Sequence, residues 1–209
     1  MTRIAVFASG RGSNFRALVE AERAGVFPGA IVLLLADQPE AGALKIAREF
    51  GIECRALAPD AKGARLSPGS EERFLAACRE RNVEWICLAG FMRILGPGLL
   101  SAYPDRILNI HPSLLPAFPG LEAQTQAFDY GVRVSGCTVH FVDAGVDTGP
   151  IVLQAAVEVR PEDSAADLAA RILEQEHKLY PAALRLLLSG SWRRQGRRIH
   201  FSQREGSRP

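Results

Sequence analysis

The feature that most restricts the fold is an alternation, running through the first half of the chain, of short apolar runs with segments of helical period. Residues 3–8, centred on Ile4-Ala5-Val6-Phe7-Ala8, read as a buried strand. A glycine turn then leads into a helical segment at about 15–24. Residues 30–36 form a second apolar run, followed by a helix near 40–50 that stops at Gly51, and 53–58 read as a third strand. The polar stretch 59–70 loops over the surface, 71–81 has helical spacing, and 85–89 is a strand. Continuously apolar strands separated by helices imply a mainly parallel sheet covered on both faces, with ligands at the carboxyl ends of its strands.

The second half changes character. Two strand patterns at 132–142 and 151–159, separated by a tight Gly/Pro loop, predict an antiparallel pair. A long helix at about 164–189 follows, with Ser164 or Asp163 as its N-cap and Pro181 kinking or dividing it. At 209 residues, 47% hydrophobic and 23% charged, the chain is expected to form one globular domain over 1–190, whose pattern changes at about residue 100.

Residues 191–209 read as a basic tail. The net charge is only +2, and the surplus gathers at Arg193, Arg194, Arg197, Arg198, Arg204 and Arg208. Without interleaved aromatics to stack on bases, the tail is expected to be a solvated, partly frayed terminus rather than a nucleic-acid surface. No apolar run reaches the roughly 18 residues that cross a bilayer, so no membrane partner is expected. Cys54, Cys78, Cys87 and Cys137 show no Cys-x-x-Cys spacing and no secretory segment precedes the first strand, which suits a reducing cytoplasm. Cys87 and Cys137 lie in apolar runs and read as inert thiols.

The chemistry concentrates in Leu108-Asn109-Ile110-His111-Pro112-Ser113-Leu114-Leu115-Pro116-Ala117-Phe118-Pro119-Gly120. Asn109 and His111 are two residues apart, so an extended chain points both to one face. Three prolines stiffen the loop beyond. An oxyanion donor and an acid/base group on a stiff mount suit acyl-group chemistry. Asp147, in Asp143-Ala144-Gly145-Val146-Asp147-Thr148-Gly149-Pro150, is the carboxylate best placed to complete the set. Ser9-Gly10-Arg11-Gly12-Ser13-Asn14 lacks the length and the Lys-Ser/Thr of a Walker A loop. Its backbone N–H groups before a helix suit a single phosphate monoester instead. His140 alternates with Thr138 and Val142 and reads as a satisfied core histidine or a support for other groups. The four histidines show no metal-ligand spacing, so no metal is expected.

Taken in order, the Ser9–Asn14 loop, Leu88-Ala89-Gly90-Phe91-Met92-Arg93-Ile94-Leu95, the Asn109–Gly120 loop, and Asp143–Pro150 with Gln175-Glu176-His177 resemble the folate-dependent phosphoribosylglycinamide formyltransferase family of purine biosynthesis. The resemblance implies a Rossmann-like α/β domain and transfer of the formyl group of 10-formyltetrahydrofolate, as co-substrate, to the amine of glycinamide ribonucleotide. It assigns catalysis to Asn109, His111 and Asp147. The ribonucleotide falls to Gly12, Ser13, Asn14 and Glu176. The folate falls to Met92, Arg93, Ile94 and Leu95, with Asn109, Asp143, Ala144, Gly145, Val146 and Asp147. The arginine that meets the folate tail is Arg65 or Arg73.

One position departs from the family pattern: Glu122 stands two residues after Pro119-Gly120, where members commonly have His. Methionyl-tRNA formyltransferases and formyltetrahydrofolate deformylases share the catalytic loop, but they add a domain for which this chain has no room. A non-catalytic nucleotide-binding module would have no need of Asn109, His111 and Asp147 together.

Overall fold

The computed structural model describes residues 1–202, so Arg204 and Arg208 fall outside the described residues. The chain order is β1 (Thr2–Ala8), α1 (Ser13–Arg23), β2 (Gly29–Ala36), α2 (Gly42–Glu49), β3 (Cys54–Ala56), α3 (Pro68–Glu80), β4 (Trp85–Leu88), α4 (Pro97–Ala102), β5 (Ile107–His111), α5 (Ala123–Tyr130), β6 (Val134–Phe141), β7 (Ile151–Glu158), α6 (Ala165–Ser189), β8 (Trp192–Gln195) and β9 (Arg198–Phe201). The first seven strands form one sheet in the order β3-β2-β1-β4-β5-β6-β7. Pairing is parallel from β3 to β5, and antiparallel between β5 and β6 and between β6 and β7.

Successive side chains of the central strands divide between two cores, as a sheet covered on both faces requires. Ile4, Val6, Leu34, Cys87 and Leu108 pack beneath Phe15 and Leu18 of α1, Leu44 of α2 and Leu168, Ile172 and Leu184 of α6. Ala5, Phe7, Leu33, Leu35 and Ile86 pack beneath Phe74 and Leu75 of α3 and Leu99 of α4. Each such Leu, Ile or Phe contributes about 1.5–3 kcal/mol by leaving water. Burial pushes the Cys87 and Cys137 thiols up to about 12, which leaves both protonated and inert.

Two local expectations change, and one choice is decided. Pro181 does not divide the last helix: α6 continues unbroken through it. The buried stripe of Leu168, Ile172, Tyr180, Ala183 and Leu184 spans both sides of the proline, and the Tyr180 hydroxyl lies 3.1 Å from the carbonyls of Leu88 and Leu108. Packing on the sheet thus outweighs one missing backbone bond. The N-cap is Ser164, in a reciprocal pair with Asp167. Residues 192–201, expected to be solvated tail, instead form the β8–β9 hairpin, with the Trp192 ring packed 5.3 Å from that of Phe141 and edge-to-face 6.4 Å from that of Trp85. Among the described residues no helix is long and apolar enough to cross a membrane.

Candidate active site

The loops at the carboxyl ends of β1, β4 and β5 open on one side of the sheet, where strand direction leaves a crevice. The loop after β6 and one face of α6 close it, giving a cavity of about 510 Å3. Gly12, Ser13, Asn14, Met92, Arg93, Ile94, Leu95, Asn109, His111, Asp143, Gly145, Val146, Asp147 and Glu176 all line this cavity. Ala144 does not.

Asn109 and His111 do share one face of β5, and Asp147 bridges them. Asp147 Oδ2 lies 3.3 Å from His111 Nδ1, and Asp147 Oδ1 accepts from Asn109 Nδ2 at 3.4 Å. The loop that carries Asp147 is held by Gly149, where a Cβ would stand 1.7 Å from the Phe141 carbonyl oxygen, so only glycine fits. The proline-rich segment is pinned from β6 and β7. Thr138 Oγ1 donates to Ser113 O and accepts from Leu115 N, while Gln154 Nε2 donates to Leu115 O. The stiffness that the prolines predict is therefore reinforced by side chains distant in sequence.

Both neighbours of the His111 ring are acceptors: the Phe118 carbonyl 2.8 Å from Nε2, and Asp147 at Nδ1. A cation satisfies both, but burial pushes the His111 pKa below its ordinary value, by more than the Phe118 carbonyl and Asp147 raise it. Burial alone would raise the Asp147 pKa. The His140 contact, the Gly120 N–H at 2.8 Å and the two nearby imidazoles outweigh it and hold Asp147 below the ordinary carboxylate value. The result is an ionised carboxylate beside a neutral imidazole, ready to stabilise a proton that the ring gains.

At the other end, Gly12 caps α1 with φ +83°, and Asn14 Nδ2 donates to Glu176 Oε2 at 2.7 Å. Glu176 is 5% exposed, and burial raises its pKa even though Asn14 lowers it. Near the 92–95 segment, Met92 N donates to Ser9 Oγ at 2.8 Å and Arg93 Nε donates to Asp37 Oδ2 at 2.7 Å. Met92, Leu121 and Val146 leave an exposed apolar rim of the kind a flat ring system covers. Neither Arg65 nor Arg73 lines the cavity: Arg65 donates to the Leu95 carbonyl and Arg73 to that of Ala58. His177 borders a smaller hollow with Arg11 and Arg16. Glu122 lies on the cavity wall, exposed, at φ +55°. Among the described residues no cluster of His, Cys, Asp or Glu could hold a metal.

One supporting residue, Asp37, carries no signal in the sequence, and for His140 the strand pattern gives a supporting role without its partner. Asp37 follows β2 with no motif around it. The link between His140 and Asn109 shows only in the strand register, where the two face each other across β5 and β6.

An open α/β sheet with an amide, an imidazole and a carboxylate converging on one crevice is a framework for acyl-group transfer, and a model of the formyl transferase family matches residues 2–184. The phosphoribosylglycinamide formyltransferase of Bacillus subtilis (strain 168) is 45% identical over 188 residues, covering 90% of this chain and 95% of that protein. The crystal structure of glycinamide ribonucleotide transformylase 1 from Symbiobacterium toebii superposes with a TM-score of 0.92 at 46% identity, covering 97% of this chain and 95% of that one. A formyltetrahydrofolate deformylase from Pseudomonas syringae shares the fold, with a TM-score of 0.89 at 22% identity, over 97% of this chain and 66% of that one. The chain belongs to the formyl transferase family, among its phosphoribosylglycinamide formyltransferases.

Proposed function

We propose that the protein transfers the formyl group of 10-formyltetrahydrofolate to the amine of glycinamide ribonucleotide, a step of purine biosynthesis. The observation that carries this reading is the meeting of Asn109, His111 and Asp147 in the same cavity as the Asn14–Glu176 pair. The first set supplies transfer chemistry and the second supplies a place for a phosphorylated ribose.

In this reading Asn109 donates an N–H to the oxyanion that develops as the amine adds to the formyl carbon. His111, neutral because burial disfavours its cation, takes a proton from the adding amine and returns it towards the departing nitrogen. Asp147 stabilises the imidazolium in between from 3.3 Å. The backbone N–H groups of Gly12, Ser13 and Asn14 receive the phosphate, and Glu176 accepts from the ribose hydroxyls. Segment 92–95 and the loop 143–147 hold the folate, whose ring covers the rim of Met92, Leu121 and Val146. The 45% identity to a phosphoribosylglycinamide formyltransferase, over 95% of that protein, favours transfer over hydrolysis. The four cysteines are free, which supports a reducing, cytoplasmic setting.

Consumption of formyl-folate by the full chain, followed with and without glycinamide ribonucleotide, tests the reading. Turnover that requires the ribonucleotide and yields its N-formyl product is expected. Consumption without it would indicate a deformylase, and none in either arm would indicate a binding module.

A further inference from the structure

We infer that His140 is a positioning residue for the transfer, fixing which way round the Asn109 amide stands; this rests on the reading of Asn109 as the oxyanion donor. A carboxamide has nearly the same shape whichever end is the oxygen, so packing cannot set its orientation, and only its hydrogen-bond partners do.

His140 is 2% exposed, and both its ring nitrogens are engaged. Nδ1 lies 2.8 Å from the Phe141 carbonyl oxygen, which only accepts, so Nδ1 carries the proton. In the neutral ring Nε2 is then an acceptor, and the Asn109 group 3.1 Å away must be the N–H end. Asp147 Oδ1, which accepts from Asn109 Nδ2 at 3.4 Å, favours the same orientation. Reversed, the Asn109 oxygen would face a lone pair and a carboxylate together.

One amide N–H is thereby held firmly by His140. The second is held only by the long contact to Asp147 and is free to turn to the developing oxyanion. The titratable groups near the ring are Asp147 and His111. Without the His140 acceptor the amide samples both orientations, and one of them presents oxygen where negative charge develops.

The experiment is a double-mutant cycle on the full chain with His140→Leu, Asn109→Ala and the double variant, plus His140→Gln, whose amide oxygen can replace the Nε2 acceptor. His140→Leu is expected to lower kcat about 10²-fold, near the loss of one oxyanion donor, with both KM values within about threefold. His140→Gln should recover to within about tenfold of wild type, and His140→Leu should add almost nothing in the Asn109→Ala background, as residues that act as a unit do. Equal loss from His140→Leu in both backgrounds, or near-normal kcat for it, overturns the proposal. If His140→Leu does not fold, His140→Gln decides: kcat within tenfold of wild type supports the role, and a loss as large as that of Asn109→Ala overturns it. Near-normal turnover of Asn109→Ala would instead overturn the reading of Asn109 itself.

Discussion

Asn14 and Glu176 are 162 positions apart in the chain, yet their side chains meet at 2.7 Å, tying the first turn of α1 to the middle of α6. The contact joins a neutral donor to a nearly buried carboxylate, so each residue depends on the other. Asn14→Ala should raise the ribonucleotide KM by about tenfold or more, roughly 1.4 kcal/mol, and leave the folate KM within about twofold. Steady-state constants for both substrates decide it, and equal losses would remove Asn14 from the ribonucleotide site. Gly12→Ala is a poor probe of the same site, because its Cβ would stand 2.7 Å from Ala43 Cα in α2.

Burial raises the Glu176 pKa, so the folded protein binds this proton more tightly than the unfolded chain does. Stability contributed by the group is present at low pH and is lost as pH rises from the ordinary carboxylate value through the raised one. Glu176→Gln is therefore expected to raise the melting temperature at pH 7.5 more than at pH 4, while weakening the ribonucleotide. Melting curves at the two pH values, read beside KM, test this. A variant less stable at pH 7.5 would mean that the carboxylate is stabilising as the anion.

Asp147→Asn should lower turnover by about 10²–10⁴, the range for disabling positioned acid–base catalysis, with ribonucleotide affinity nearly unchanged. Burial already pushes the His111 pKa down and the Asp147 charge opposes that push, so the variant lowers it further. The acidic limb of the rate profile then moves to lower pH. Turnover against pH for both proteins is the measurement, with circular dichroism to confirm folding. An unmoved limb with normal turnover would make Asp147 a turn residue only.

Asp37 is 1% exposed and grips Arg93. Asp37→Ala strands a cation that is 19% exposed, at about 3–5 kcal/mol if the site behaves as a buried pair. It also loosens the segment assigned to the folate. Denaturant unfolding should show the loss, and the folate KM should rise while the ribonucleotide KM holds. Unchanged stability would mean that Arg93 finds another partner.

Glu122→His should change turnover by less than about tenfold, roughly 1.4 kcal/mol of barrier. The side chain is exposed and makes no side-chain cap to α5. A loss of several hundredfold in kcat would place this position in the chemistry.

The elements whose pattern is local were legible in the chain: the buried strands, the helix stops, the paired faces of Asn109 and His111, and the glycine loop before α1. Each follows from periodicity or from one residue's backbone freedom, which neighbours in the chain impose. The resemblance added which motifs act together. What depends on groups far apart in the chain emerged from the packing of the elements. Asp147 reaches both Asn109 and His111 through the fold of the β6–β7 loop, and Pro181 remains inside α6 because the sheet holds the helix on both sides of it. Trp192 turns an apparent tail into a packed hairpin, because its ring finds Trp85 and Phe141. Asp37 and His140 sit in ordinary sequence surroundings and gain their partners from strand order and register. A hydrogen bond or an ion pair is set by distance in space, and a chain read in one dimension carries that distance only where a local period happens to encode it.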